Sequence, residues 1–430
     1  MTYEEAVSKI NSLLRFGMQP GLERIEELLR RMGNPQKKLR FVHVAGTNGK
    51  GSTCALLSSV LTKAGYKTGR FTSPFVTEFR ERMQIDDEMI SEEDLARILN
   101  EVYPLVEQMA GEGLVITEFE LITALAFAWF YEKRCDVVVL EVGLGGRFDA
   151  TNVIDCPLLS VICSISLDHT AILGDTVEQI AFEKCGILKR GGAAVVYPVQ
   201  PGRAMDVIRE QAREKRCALR VTKLDLVKVL EKGLRGSKLS HRGMTLFLPF
   251  IGEHQVKNAE TVLTAIDLLR QRGLQISDEA VKEGVAAAKL PARLELLSEQ
   301  PVVLLDGAHN PGGAEALGDA IKAYLPGKRV VGVMGMLSDK DSGAALHTLG
   351  PLFSSIITLE PDSPRALKSE DLAKRAREYC ADVIPLHDYQ EAFSQALLKA
   401  GEDGAVVICG SLYLAGAIRP VILDAFQAEK

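Results

Sequence analysis

The sequence predicts an α/β fold: a P-loop-containing parallel-sheet domain with a small antiparallel piece, followed by a Rossmann-like C-terminal domain. Three observations predict it. Short runs rich in Val, Ile and Leu alternate with helical patterns for most of the length. The runs at 41–45, 137–142, 158–165 and 193–197 lack polar alternation, as strands buried on both faces do. A glycine-rich turn, Ala45-Gly46-Thr47-Asn48-Gly49-Lys50-Gly51-Ser52-Thr53, joins the first of those runs to a helix start.

Taken in order, the helix after the turn is expected from Ser52, and a short strand from Thr68 to Phe71 leads to Ser73. Ser91-Glu92-Glu93-Asp94 has the form of a capping box and opens another helix. Thr117 to Glu132 is apolar on nearly all sides, which predicts a core helix. Residues 220–250 break the rhythm. Leu224, Leu226, Val227, Val229 and Leu230, then Met244, Leu246, Leu248 and Phe250, surround Gly233, Gly236 and Gly243. They read as antiparallel strands. From about 293 a second α/β unit follows. Strands are expected at 301–306, 328–333, 354–359, 381–385 and 405–409, with helices such as Ala314–Tyr324 and Tyr389–Ala400 between them. The linker is placed at Lys289-Leu290-Pro291-Ala292, giving domains of 1–292 and 293–430.

Composition narrows the function classes. The 430 residues suit two or three domains, and 47% hydrophobic with 25% charged residues is ordinary for a globular chain. A net charge of -6 leaves no basic surplus for a nucleic acid or an acidic membrane surface. Eight cysteines form no C-x-x-C pair, so neither zinc nor thioredoxin-type chemistry is expected. The N-terminus lacks the basic and apolar regions of a signal peptide, and the apolar-rich segment Leu121–Tyr131 is too short to span a bilayer. The expectation is a cytoplasmic, monomeric protein with small-molecule partners.

The chemistry gathers at strand ends. A glycine-rich turn at a strand-to-helix junction points backbone N–H groups inward, and the helix N-terminus adds positive potential. Together they cradle a polyphosphate that Lys50 neutralises, which marks an ATP-using protein. The common G-x-x-x-x-G-K-S/T form is not matched: Gly46 stands only three residues before Gly49, and Gly51 follows Lys50. Glu141 ends a buried strand, where a carboxylate in a nucleotide site commonly holds Mg2+. The glycines at 143, 145 and 146 lack the G-x-G-x-x-G spacing of a dinucleotide turn. His169, beside Asp168, follows the next strand, and Ser73 reaches the same edge. Lys184 sits on a helix with apolar neighbours, where a lysine by itself reads as a snorkelling surface residue. Downstream, Asp306, His309 and Pro311 repeat the pattern of strand, acid, tight turn and helix. Arg293 at the junction suits a bidentate phosphate clamp or an ordinary surface ion pair.

These segments together resemble folylpolyglutamate synthase/dihydrofolate synthase of the Mur ligase superfamily. The matching pieces are GTNGKGS at 46–52, FTSPF at 71–75, EVGLGGRFDATN at 141–152, SLDHT at 166–170 and FEKCGI at 182–187. HQVKNAE at 254–260, PARLE at 291–295, LDGAHNP at 305–311 and SDKD at 338–341 complete the set. The resemblance implies ATP-dependent ligation of L-glutamate to folate or dihydropteroate through an acyl phosphate, with Mg2+ as cofactor and a monovalent cation as an optional one. It implies that Thr47, Asn48, Gly49, Lys50, Gly51 and Ser52 hold the ATP phosphates, and that Asn258, Arg293 and Asp306 contact ATP. Ser73, Glu141 and His169 would ligate Mg2+, joined by Lys184 as its carbamate, and His309 would orient the reacting groups. The pterin-side pocket would draw on Arg24, Thr117, Phe119, Glu120, Asp149 and Ala150. Two positions depart from the family pattern: Phe75 replaces the usual His, and Ala292 replaces the usual Gly. Two other readings are a Mur-type peptidoglycan precursor ligase, for whose N-terminal uridine-nucleotide domain there is no room ahead of residue 46, and a P-loop regulatory ATPase.

Overall fold

The computed structural model describes residues 1–17 and 19–427. The chain forms two compact units. The first comprises Met1–Phe75, Phe79–Leu226 and Lys257–Ala288; the second comprises Val76–Glu78, Val227–Val256 and the chain from Lys289 onward. The antiparallel piece expected within 220–250 therefore groups with the second unit.

The first unit is built on an eight-stranded sheet. Its strands are β1 (Phe41–Ala45), β2 (Thr68–Phe71), β3 (Met83–Ile85), β4 (Glu88–Met89), β5 (Val137–Glu141), β6 (Leu159–Ile162), β7 (Ala193–Val196) and β8 (Ala218–Val221). The order is β4-β3-β2-β5-β1-β6-β7-β8. All neighbours from β2 to β8 pair parallel, while β3 and β4 add an antiparallel edge. Every residue of β1 and β5 is buried, as the unbroken apolar runs predict for a sheet covered on both faces. One covering helix, Glu118–Glu132, is buried nearly all round, and its Phe127 meets Phe41 edge-on at 5.5 Å. Its N-cap, Thr117, forms a complete capping box with Glu120. Ser91 caps helix Glu92–Gly111 by accepting from the Asp94 amide. The helix after the glycine-rich turn starts at Lys50, two residues earlier than the pattern indicates.

The second unit holds two sheets. In the three-stranded one, β9 (Lys228–Gly233), β10 (Gly236–His241) and β11 (Met244–Leu248) run antiparallel. Leu224 and Leu226, expected in a strand, lie instead in a 3-10 turn, Leu224–Leu226. The six-stranded sheet contains β12 (Glu295–Glu299), β13 (Val302–Leu305), β14 (Val330–Met334), β15 (Ser355–Thr358), β16 (Val383–Pro385) and β17 (Ala405–Cys409), in the order β12-β13-β17-β14-β15-β16. All pairs are parallel except β12–β13. Val302 and Leu304 face one apolar core, while Val303 and Leu305 face another. Helices on both faces thus explain why these strands show no polar alternation. The antiparallel edge β12 was not legible, because Glu295-Leu296-Leu297-Ser298-Glu299 carries too little apolar signal.

Helix Asp278–Ala287 packs closely on helix Lys50–Lys63, which begins the phosphate-loop side of the sheet. A Cβ at Gly284 would stand 2.4 Å from the Val60 Cα. Ser59 Oγ donates to the Gly284 carbonyl at 2.8 Å and fixes the approach. Gly284→Ala should therefore lower stability by about 1–3 kcal/mol despite alanine's better helix propensity. Denaturant unfolding measures this, and an unchanged or raised midpoint would refute the backbone-contact argument.

Candidate active site

The turn after β1 is held by the exit of β6. Thr47 N and Asn48 N donate to the Ser164 carbonyl at 2.7 and 3.3 Å. Thr47 Oγ1 donates to Ser166 O at 3.0 Å and accepts from Ser166 N at 3.2 Å. Asn48 Nδ2 reaches Ser166 Oγ at 3.3 Å. β1 and β6 are neighbours, but the chain leaves β1 toward β2 on one side and β6 toward β7 on the other. Their carboxyl ends therefore flank a topological switch point, where open α/β sheets bind ligands. Gly49 caps the helix with φ 83°, and a Cβ there would stand 2.5 Å from Asn258 Oδ1. Glycine is required on both counts, and the same contact brings Asn258 to the loop.

Two lysines converge on one carbonyl of this loop. Lys50 Nζ donates to Gly46 O at 3.2 Å and to Thr47 O at 3.4 Å. Lys184 Nζ donates to the same Gly46 O at 2.9 Å, although 138 residues separate the two in sequence. Lys184 ends helix Val177–Lys184 and is only 4% exposed, so the surface-lysine reading is wrong. Burial, and then the nearby Lys50 charge, lower its pKa from 10.5 to about 7. The segment after β5 closes over this helix end: Arg147 N donates to Glu183 O at 2.9 Å, and Asn152 Nδ2 donates to Arg147 O at 3.0 Å.

Glu141, the last residue of β5, is buried at the same sheet edge, in register with Val44. Its Oε2 accepts from Ser73 N at 3.3 Å, which places the FTSPF segment beside it. His169 has φ 50° at the N-cap of the short helix Thr170–Leu173, and its amide donates to Asp168 Oδ1 at 2.9 Å. No cluster of three His, Cys, Asp or Glu side chains able to hold a metal occurs among the described residues. A nucleotide-bound Mg2+ does not require one, because it keeps waters and phosphate oxygens and takes only one or two carboxylates. Ser73 and Glu141, which carry oxygen donors and lie side by side, have the chemistry for that sparse role.

The residues expected at the pterin side are also ordered in the first unit. Arg24 pairs with Glu120 at 2.9 Å, and the Glu120 carboxylate also accepts from Thr117 N at 2.8 Å. Phe119 packs on Phe71 at 5.9 Å, and a Cβ at Gly143 would strike its ring at 2.5 Å. Asp149, buried beside Ala150, accepts from Leu144 N at 2.8 Å and Thr151 N at 3.0 Å. Burial raises the Asp149 pKa, against the lowering effect of its hydrogen bonds. Phe75 lies 6.0 Å from Phe79, and the Arg82 guanidinium stacks over both rings.

In the second unit, Asp306 follows β13. Its two carboxylate oxygens accept from Leu294 N and Ala308 N, each at 2.7 Å. Burial raises its pKa, and Arg293 opposes this. Asp306 therefore ties the PARLE turn to the start of the next helix. Ala292 and Leu294 flank Arg293 with φ of 53° and 48°, which explains why glycine suits position 292. Glu295 holds the same turn by accepting from Ala292 N at 3.0 Å, and it pairs with Arg419 at 2.7 Å. His309 Nδ1 lies 2.8 Å from Gly307 O, so in the neutral ring Nδ1 carries the proton and donates. Asn310 caps the following helix, Pro311–Tyr324. Sequence reasoning missed Arg419, whose partner is remote, and His43, a lone histidine inside an apolar strand.

A glycine-rich strand-to-helix loop carrying two lysines, a carboxylate at the neighbouring strand end and a second α/β unit are the parts of an ATP-using enzyme of the Mur ligase class. The Mur ligase middle domain matches residues 44–266, and the Mur ligase glutamate ligase domain matches 292–412. The chain is 39% identical to dihydrofolate synthase/folylpolyglutamate synthase of Bacillus subtilis, over 97% of this chain and 98% of the relative. It is 36% identical to folylpolyglutamate synthase of Lacticaseibacillus casei, over 98% and 99%. The fold superposes with a TM-score of 0.88 on Mycobacterium tuberculosis folylpolyglutamate synthase complexed with ADP and AMPPCP, at 33% identity and 98% and 99% coverage. Escherichia coli FolC in complex with DHPP and ADP gives 0.86, at 33% identity and 98% coverage of both chains. The chain belongs to the folylpolyglutamate synthase/dihydrofolate synthase family of Mur ligases.

The depressed pKa of Lys184 has a signed consequence. Between about 7 and 10.5 the unfolded chain binds more protons than the folded one, so Lys184 makes stability rise with pH across that window. Below about 7 the folded state carries the full penalty of a buried charge. In buffer free of CO2, Lys184→Met should be more stable than wild type at pH 6, and this margin should shrink as pH rises to 9. Denaturant unfolding at both pH values checks it; a margin that grows with pH would contradict the assignment.

Proposed function

We propose that this protein joins the amine of L-glutamate to a carboxylate of a folate, and likewise to dihydropteroate, using ATP and an acyl phosphate. The observation that carries this reading is the convergence of Lys50 and buried Lys184 on the Gly46 carbonyl of a phosphate loop. A carboxylate is a poor acyl donor at neutral pH. Its oxygen attacks the γ-phosphorus of ATP, the bond to the bridging oxygen breaks, and ADP leaves. The glutamate amine then attacks the acyl carbon; the carbon–oxygen bond to phosphate breaks, and a proton is lost from nitrogen. Thr47, Asn48, Gly49, Gly51 and Ser52 cradle the phosphates, and Lys50 offsets their charge by exchanging its loop carbonyls for phosphate oxygens.

Lys184 is suited to carbamylation because its pKa near 7 leaves a neutral amine available at physiological pH. That amine adds to CO2, forming a nitrogen–carbon bond and releasing one proton, and the product is a carboxylate. Ser73, Glu141, His169 and this carbamate would hold Mg2+, which when bound adds positive charge beside the phosphoryl oxygens. Asn258, Arg293 and Asp306 are assigned to ATP, and His309 to orientation of the acyl phosphate or glutamate. Arg24, Thr117, Phe119, Glu120, Asp149 and Ala150 are assigned to the pterin side. No helix among the described residues is long and apolar enough to cross a membrane.

ADP release with MgATP and L-glutamate tests the reading, using dihydropteroate, tetrahydrofolate or no acceptor. Release is expected with both acceptors and only when glutamate is present. Lys50→Ala should reduce it by about 100-fold or more, the scale of removing a preorganised charge-stabilising donor. Glutamate-independent release without an acceptor would favour a regulatory ATPase and defeat the ligase reading.

A further inference from the structure

His43 lies in the middle of β1, three residues before the phosphate loop, and is fully buried. It stands in register between Leu140 of β5 and Ser160 of β6. Its Nε2 lies 2.9 Å from Thr151 Oγ1, while Nδ1 is buried with no hydrogen-bond partner among the described residues. A histidine placed so costs stability, since an unsatisfied buried nitrogen is penalised. An aliphatic residue would fill a central strand without that penalty.

The hydrogen bonds beyond Thr151 assign the protons. Asp149 accepts from Leu144 N through Oδ2, and from Thr151 N through Oδ1. Its Oδ1 also contacts Thr151 Oγ1 closely. With backbone donors on both oxygens, Asp149 is held as a carboxylate even though burial opposes its charge. A carboxylate only accepts, so the Thr151 hydroxyl donates its single proton to Asp149. Thr151 Oγ1 then accepts from His43, which must carry its proton on Nε2. Burial depresses the His43 pKa to about 3, so the ring is neutral and the direction of the chain does not change near neutral pH.

We propose that His43 is a positioning residue for the pterin-side pocket, acting through Thr151 on Asp149. This rests on the ligase reading and on Asp149 belonging to that pocket. The donor chain from His43 to Thr151 to Asp149 orients the carboxylate and, through Leu144 N, the turn that follows Glu141. The hydrogen bond from His43 leads to Asp149 and not directly to the phosphate loop, so the effect falls first on the pterin substrate.

Steady-state kinetics of His43→Leu and His43→Gln test this, together with Thr151→Val and Thr151→Ser. His43→Leu and Thr151→Val should raise KM for dihydropteroate and tetrahydrofolate by about 10- to 100-fold, the cost of leaving a buried group unpaired. KM for ATP should stay within about threefold. His43→Gln, which offers an N–H near the Nε2 position, and Thr151→Ser, which keeps the hydroxyl, should recover most of the loss. Unchanged pterin KM, or pterin and ATP KM rising together, would overturn the proposal.

Nitrogen NMR of histidine-labelled wild type locates the proton independently of activity, with the His43 signal assigned by its loss in His43→Leu or, should that variant not fold, in His43→Gln. The proton is expected on Nε2, and a proton on Nδ1 would refute the chain. If wild type ligates no glutamate at all, the ligase reading fails, and the NMR spectrum still decides whether the His43 chain runs in the stated direction.

Discussion

The Gly46 carbonyl accepting from both Lys50 and Lys184 is the contact around which the candidate site of the first unit is arranged. Two ammonium groups on one buried oxygen repel each other, and burial already disfavours charge. The protein resolves this by lowering the Lys184 pKa rather than by supplying an adjacent carboxylate ion pair. Burial thereby holds much of Lys184 as the neutral amine near pH 7. Holding it beside the loop requires three separate chain segments to meet: the turn after β1, the end of helix Val177–Lys184 and the turn after β5.

Those segments meet because of sheet order. β5, β1 and β6 are adjacent, so the turns that follow them share one edge. Their hydrogen bonds join loop to loop rather than loop to solvent: Thr47 and Asn48 to Ser164 and Ser166, Ser73 to Glu141, and Arg147 to Glu183. A site assembled this way is preorganised, since its polar groups are already paired before a ligand arrives. The second unit uses the same device on a smaller scale. Asp306 and Glu295 each accept main-chain N–H groups of the PARLE turn, fixing a backbone with two residues at positive φ.

Both departures from the family pattern have physical consequences. Ala292 occupies a left-handed conformation that costs roughly 1–2 kcal/mol for a residue with a Cβ, but its methyl is fully buried in the second unit's core. Burial of that methyl offsets about 0.8 kcal/mol of the strain. Phe75 exchanges a polar ring for one that packs on Phe79 beneath the Arg82 guanidinium, so it joins an aromatic and cationic stack.

Local pattern was enough to read the buried strands, the cap at Ser91, the glycine-rich strand-to-helix turn, and the acids Glu141 and Asp306 at strand ends. These depend on periodicity and turn chemistry within a few residues, and strand direction then fixes which end carries the site. The motif series carried the family, because its pieces occur in order along nearly the whole chain. The environment of Lys184 could not be read this way: a lysine among apolar neighbours on a helix looks the same whether it snorkels or is buried. Its partner lies 138 residues away, and only sheet order and the fold of the β5 turn over the helix end exclude water from it. The same holds for His43, which hid inside an apolar run, and for Arg419, whose carboxylate partner is 124 residues distant. Sequence specifies the groups and their local geometry; long-range packing sets their burial and charge state, because desolvation depends on everything that surrounds a side chain.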